Sequence, residues 1–127
     1  MKKVVFATAL FSVMTGLSTG FAQNFKFDKL THDFGVIKEG KDTIWVDFKF
    51  TNDGSEPLLI SDIKTSCDCT LAKWPKTAIQ PGQSSVIKGG FKTEGKMDGF
   101  TKNLIILGNT MPGTTILTIK GLIVPNK

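Results

Sequence analysis

Thr43-Ile44-Trp45-Val46-Asp47-Phe48-Lys49-Phe50-Thr51-Asn52 alternates its side chains without a break. Ile44, Val46, Phe48 and Phe50 fall on one face, and Thr43, Trp45, Asp47, Lys49 and Thr51 on the other. A period of two is the signature of a strand with one face on a core and one toward water. Asn52-Asp53-Gly54-Ser55 follows at once, and these residues tolerate positive φ or hydrogen-bond their own backbone, so the chain is expected to reverse there.

Working outward, the same reading repeats. Pro57 opens a second extended run in which Leu58 and Ile60 share a face, and Asp62 interrupts it before Ile63, marking a bulge or the strand end. Upstream, Phe25, Phe27 and Lys29 alternate with Lys26 and Asp28, and Asp33 to Ile37 resumes the extended pattern, giving a first strand in two pieces. Downstream, Gln80-Pro81-Gly82-Gln83 fits a type II turn, with Pro fixing the first central φ and Gly taking the positive one. Ser84 to Phe91 then sets Ile87, Gly89 and Phe91 on one face, and the Gly89-Gly90 pair either weakens the strand or marks a close approach by another segment. Phe100 to Leu107 and Thr114 to Val124 form a hairpin whose longer loop carries Met111.

No run outside the first 22 residues has helical spacing. About seven short strands separated by turn signals predict an all-β, immunoglobulin-like antiparallel β-sandwich, with a small closed barrel as the alternative architecture. The expected core is Ile44, Val46, Phe48, Phe50, Leu58, Ile60, Ile87, Phe91, Leu104, Ile106, Leu117 and Ile119.

The chain has 127 residues, 40% of them hydrophobic and ten of them Phe, which is enough for one core and argues against a disordered protein. At the N-terminus, Lys2 and Lys3 precede an apolar stretch from Val4 to Leu17, and Gly20-Phe21-Ala22 offers small residues where a signal peptidase reads. This predicts a signal peptide over 1–22, cleaved after Ala22, and a single domain over 23–127. Ser12, Thr15, Ser18 and Thr19 interrupt the stretch too early for a membrane anchor, so the mature chain is expected to be exported to the periplasm or cell surface with no integral membrane segment. Losing Lys2 and Lys3 lowers the formal charge of +5 by two, and the remaining lysines are scattered among acids. With no Arg anywhere in the sequence, nucleic acid is not an expected partner.

Ser66-Cys67-Asp68-Cys69-Thr70 is the one chemically marked cluster. Three readings stay open. An exported chain with two cysteines points to a disulfide, which at this spacing needs a turn. Two thiolates two residues apart can also reach copper or zinc, with His32, Met97, Met111 or an acid as further ligands, although two sulfurs alone are too few for a closed zinc site. Thiol–disulfide chemistry is the third reading; Asp68 opposes it, and Lys64 and Lys73 are the counterweights in reach along the sequence. His32 beside Asp33 lacks a nucleophile motif, and no paired-acid, HExxH or phosphate-loop pattern occurs, so no catalytic residue is assigned. Trp45, Trp74 and Met111 are candidates for an interaction surface.

Phe34-Gly35-Val36-Ile37 with Glu39-Gly40, Phe48 to Gly54, Pro57-Leu58, Ser66 to Thr70, Ile79 to Gly82, Gly99-Phe100, Lys102, Asn109 and Gly121 occur in an order that resembles the bacterial domain-of-unknown-function 1573 family over about residues 25 to 124. The resemblance implies an exported immunoglobulin-like sandwich similar to the PapD, major-sperm-protein and ASH or Hydin domains, often from Bacteroidetes. Members often carry Gly between the two cysteines where this chain has Asp68. The resemblance argues against catalysis and leaves function open; by analogy of fold the expected role is a non-catalytic protein-interaction or structural module with an unidentified protein partner and no cofactor. The alternative is a copper- or zinc-handling protein using Cys67 and Cys69.

Overall fold

A computed structural model describes residues 24–110 and 113–126 of the chain. The leader predicted over 1–22 and the Met111 loop tip lie outside the described residues. Eight strands follow in order: β1 (Phe25–Phe27), β2 (Thr31–Lys38), β3 (Thr43–Asn52), β4 (Ile60–Thr65), β5 (Thr70–Lys73), β6 (Ser84–Lys92), β7 (Asp98–Gly108) and β8 (Thr114–Val124). They form two four-stranded sheets, β1-β3-β6-β5 and β2-β8-β7-β4.

The decisive stretch is β3 from its first residue to its last, with Val46, Phe48 and Phe50 buried and Trp45, Asp47 and Lys49 exposed. The inner faces of the two sheets meet through Phe48, Phe50, Ile87 and Phe91 on one side and Ile60, Ile63, Leu104, Ile106, Leu117, Ile119 and Ile123 on the other. Every expected core residue is buried except Ile44, which is half-buried and packs against the core. Fully burying side chains of this size contributes about 1.5–3 kcal/mol each, which is what makes the meeting of the two faces the main stabilising event.

The expected first strand in two pieces divides between the sheets. β1 pairs antiparallel with β3, whereas β2 crosses over and pairs parallel with β8, a departure from the wholly antiparallel expectation. β2 is bent between Asp33 and Val36, where Gly35 takes φ +76° and its N–H bonds the Asp33 carboxylate at 2.8 Å. Only Gly holds that conformation without steric cost, so the bulge is written at Gly35.

The Gly89-Gly90 pair marks a close approach. Gly90 lies opposite Trp45, and a Cβ there would stand 2.7 Å from the indole ring. Trp45 thus covers bare backbone on the outer face of the first sheet. The turn before β6 is as expected, with Gly82 at φ +82° and the Gln83 N–H donating to the Gln80 carbonyl at 2.9 Å.

Asn52, read from the sequence as the start of a turn, is wholly buried. Its Nδ2 donates to the carbonyls of Glu56 and Ile79, both at 2.8 Å, and its Oδ1 accepts the Gly54 N–H at 2.9 Å. Its backbone N–H reaches the Gln83 carbonyl, and its carbonyl accepts the Gly82 N–H, both at 2.9 Å. The corner leaving β3 and the turn entering β6 are therefore one hydrogen-bonded unit. Asn109 holds the same segment from the second sheet, with Oδ1 accepting the Leu59 N–H at 2.9 Å and Nδ2 donating to the Pro57 carbonyl at 3.2 Å.

Candidate functional site

The cysteines occupy the corner at which the chain leaves β4 in the second sheet and enters β5 in the first. Their sulfur atoms are in direct contact, and the Cα atoms are 5.2 Å apart, so the chain is folded back between them rather than extended. The Cys67 carbonyl accepts the Thr70 N–H at 3.1 Å and the Thr65 hydroxyl at 3.3 Å, and the Cys69 carbonyl accepts the Lys92 N–H at 2.8 Å. The Cys69 N–H donates to the Cys67 sulfur at 3.1 Å. Among the described residues Asp98 is the one non-glycine with positive φ, so Asp68 closes this turn without the left-handed conformation that a Gly at that place would suggest.

The two sulfurs differ in access. Cys67 is half-buried between exposed Ser66 and Asp68, whereas Cys69 is 4% exposed and belongs to the core cluster. Beside Cys69 lies a groove of about 420 Å³ lined by Lys41, Thr43, Asp68, Lys92, Glu94 and Lys96. Lys64 and Lys73, the counterweights suggested by sequence distance, are engaged elsewhere. Lys64 pairs with Asp62 at 3.4 Å, and the Lys73 ammonium sits 4.8 Å from the centre of the Trp45 ring. The lysines that do line the Cys69 groove come from the β2–β3 link, the end of β6 and the β6–β7 link. Sequence reasoning had no access to them, because Lys92 meets Cys69 through the β5–β6 register.

β5 is also an edge. Its ladder runs against β6 alone, and the Lys92 N–H to Cys69 carbonyl bond makes Cys69/Lys92, Leu71/Gly90 and Lys73/Lys88 the bonded pairs. Ala72 therefore turns its N–H and C=O to the open side. The other three edges are blunted: β1 has three residues, β2 carries the Gly35 bulge, and β4 shifts register between Ile60 and Asp62, where the Asp62 carboxylate takes the Ile63 N–H at 2.8 Å.

Of the other candidates, Trp45 is brought to the same outer face as this corner, 38% exposed in the row Trp45–Gly90–Leu71, next to the bonded pair of Cys69 and Lys92. Trp74, just past β5, is half-buried against the core with the Lys76 ammonium 3.2 Å from its ring centre. His32 lies on β2 in the opposite sheet, its Nδ1 2.9 Å from the Lys29 ammonium. Burial first, then the Lys29 charge, hold its imidazole below the ordinary value of 6.5, against the opposing pull of Asp33. Among the described residues no group of three or more His, Cys, Asp or Glu is placed to hold a metal ion.

A family model described as a protein of unknown function, DUF1573, matches residues 25–123. The chain belongs to the DUF1573 family. No curated protein matches it by sequence. Among solved structures, this DUF1573 chain is similar to a protein of unknown function from Porphyromonas gingivalis W83, with a TM-score of 0.69 and 17% identity. The match covers 87% of this chain and 51% of that one, so the chain spans about half the length of that neighbour. It is similar also to the ASH/PapD-like domain 7 of human CEP192, with a TM-score of 0.67, 7% identity and coverage of 98% and 100%. The E. coli chaperone DraB aligns with a TM-score of 0.50 and 13% identity over 83% of this chain and 56% of that one. At these identities the likeness establishes a PapD-like, immunoglobulin-like fold. Among the described residues no helix is long and apolar enough to cross a membrane.

Proposed function

We propose that the chain is an exported, non-catalytic immunoglobulin-like module that binds a protein partner by accepting an extended segment of it along the open edge of β5. Residues 1–22 act as the leader, cleaved after Ala22, and residues 23–127 act in the periplasm or at the cell surface. The observation that carries the reading is the contrast among the four sheet edges. β2 and β4 are interrupted by register shifts and β1 is shorter still, while β5, four residues long, keeps an unshifted register and presents the Ala72 N–H and C=O. Main-chain bonds of this kind supply affinity in strand addition, and side chains on alternate faces supply selectivity. Trp45, Leu71 and Lys73 line the outer face next to that edge. PapD-like structural neighbours that include a chaperone agree with a protein-binding role.

Ala72→Pro tests the proposal, because its lost N–H faces outward and Pro is tolerated on edge strands. The variant is expected to keep its circular dichroism and to lose the proteins that co-purify with the parent chain from a periplasmic extract. A folded Ala72→Pro protein that retains the same partners overturns strand addition at β5.

A further inference from the structure

We infer that the Cys67–Cys69 pair is a thiol–disulfide exchange site that takes two electrons from a dithiol on a protein or peptide, with Cys67 as the sulfur attacked and Cys69 as the sulfur that leaves. The inference is independent of strand addition at β5 and describes a stoichiometric exchange.

Three features of the corner carry it. The first is the difference in access: Cys67 is half-buried between two exposed residues, and Cys69 is 4% exposed, so an incoming thiolate meets Cys67. The second is the charge around the leaving sulfur. Lys41, Lys92 and Lys96 line the groove with Cys69 and outnumber its two carboxylates, Asp68 and Glu94, which works against the cost that burial sets on negative charge developing there. The third is a backbone that does not depend on the sulfur contact. Thr70, Thr65 and Lys92 hold the Cys67 and Cys69 carbonyls, so the turn persists once the sulfurs part. The Cys69 N–H, 3.1 Å from the Cys67 sulfur, stands ready to bond a thiolate formed there.

The electrons balance in two steps. A partner thiolate attacks the Cys67 sulfur, a bond forms between them, and the Cys67–Cys69 bond breaks with its electron pair leaving on Cys69 as a thiolate. The partner's second thiolate then attacks its own sulfur in the mixed disulfide, closing a partner disulfide and expelling the Cys67 thiolate. Two partner thiols are oxidised, one protein disulfide is reduced, and the two protons released by the partner pass to the protein thiolates or to solvent.

The test uses the oxidised full-length mature protein and a synthetic peptide carrying two reduced cysteines, quenched in acid, alkylated and weighed intact. The protein should gain two hydrogens as the peptide loses two, one for one. With the oxidised peptide, Cys69→Ser should form a mixed disulfide at Cys67 at least about tenfold faster than Cys67→Ser does at Cys69. Replacing Lys41, Lys92 and Lys96 with Gln should slow exchange in the parent chain severalfold at unchanged Tm, and salt should shrink the difference. The inference is overturned if the folded protein keeps its disulfide at peptide concentrations that reduce the urea-unfolded chain. Equal rates at the two cysteines, or a Gln variant that exchanges at the parent rate, overturn it as well.

Discussion

The corner after Asn52 and the corner at Cys67–Cys69 do the same topological work, since each carries the chain from one sheet to the other around β4. The first is closed by a wholly buried amide with every donor and acceptor engaged. The second is closed by two sulfurs, one of them half-exposed, beside a groove that carries three lysines. A buried amide in a complete network can only hold, because opening it leaves polar groups without water. A sulfur pair that closes so short a loop, with Cys67 accessible, holds little chain entropy and can exchange. The molecule thus separates a corner that maintains the sandwich from one with chemistry to offer.

Three variants put that contrast at risk, from the largest effect to the smallest. Asn52→Ala removes the partner of the Glu56 carbonyl and of the Gly54 N–H and leaves the Ile79 carbonyl with the Leu58 N–H alone, and should cost roughly 3 kcal/mol in urea unfolding, with exchange at the cysteines unaffected. Replacing both Cys67 and Cys69 with Ser should cost about 1.5 kcal/mol relative to the oxidised parent, because a bridge closing so short a loop restrains the unfolded chain little. A loss exceeding that of Asn52→Ala would make the sulfur corner the stronger staple and reverse the comparison. Asp68→Gly should cost only about 0.5 kcal/mol, since the turn has no left-handed residue for Gly to relieve and the added chain freedom is lost on folding. A stabilised Asp68→Gly protein, measured the same way, would mean that the turn is strained at Asp68 after all.

Much of the sandwich is legible along the chain. Alternation over Thr43–Asn52 places β3 to the residue, Pro81-Gly82 places the turn before β6, and the Gly89-Gly90 pair signals the approach that Trp45 makes. These are local matters of side-chain period and backbone freedom, which each residue carries with it. Asn52 shows where local reasoning stops. Its turn propensity is correctly read, but its burial depends on Gly82 and Gln83, thirty residues later, closing over it.

The candidate site divides in the same way. Spacing makes Cys67 and Cys69 candidates for each other, but only through a turn, because with one residue between them an extended chain holds their Cα atoms at the limit of bridging. Which sulfur is covered, which lysines share the groove, that β2 runs parallel to β8 and that β5 is the unblunted edge follow from strand register and sheet order. Register is set by which apolar faces fit together across the core, a property of pairs of distant segments. The sequence by itself determined a β-sandwich with one sulfur-marked corner. The tertiary structure decided what surrounds that corner, because burial and charge around a residue come from neighbours that meet it only when the sheets close.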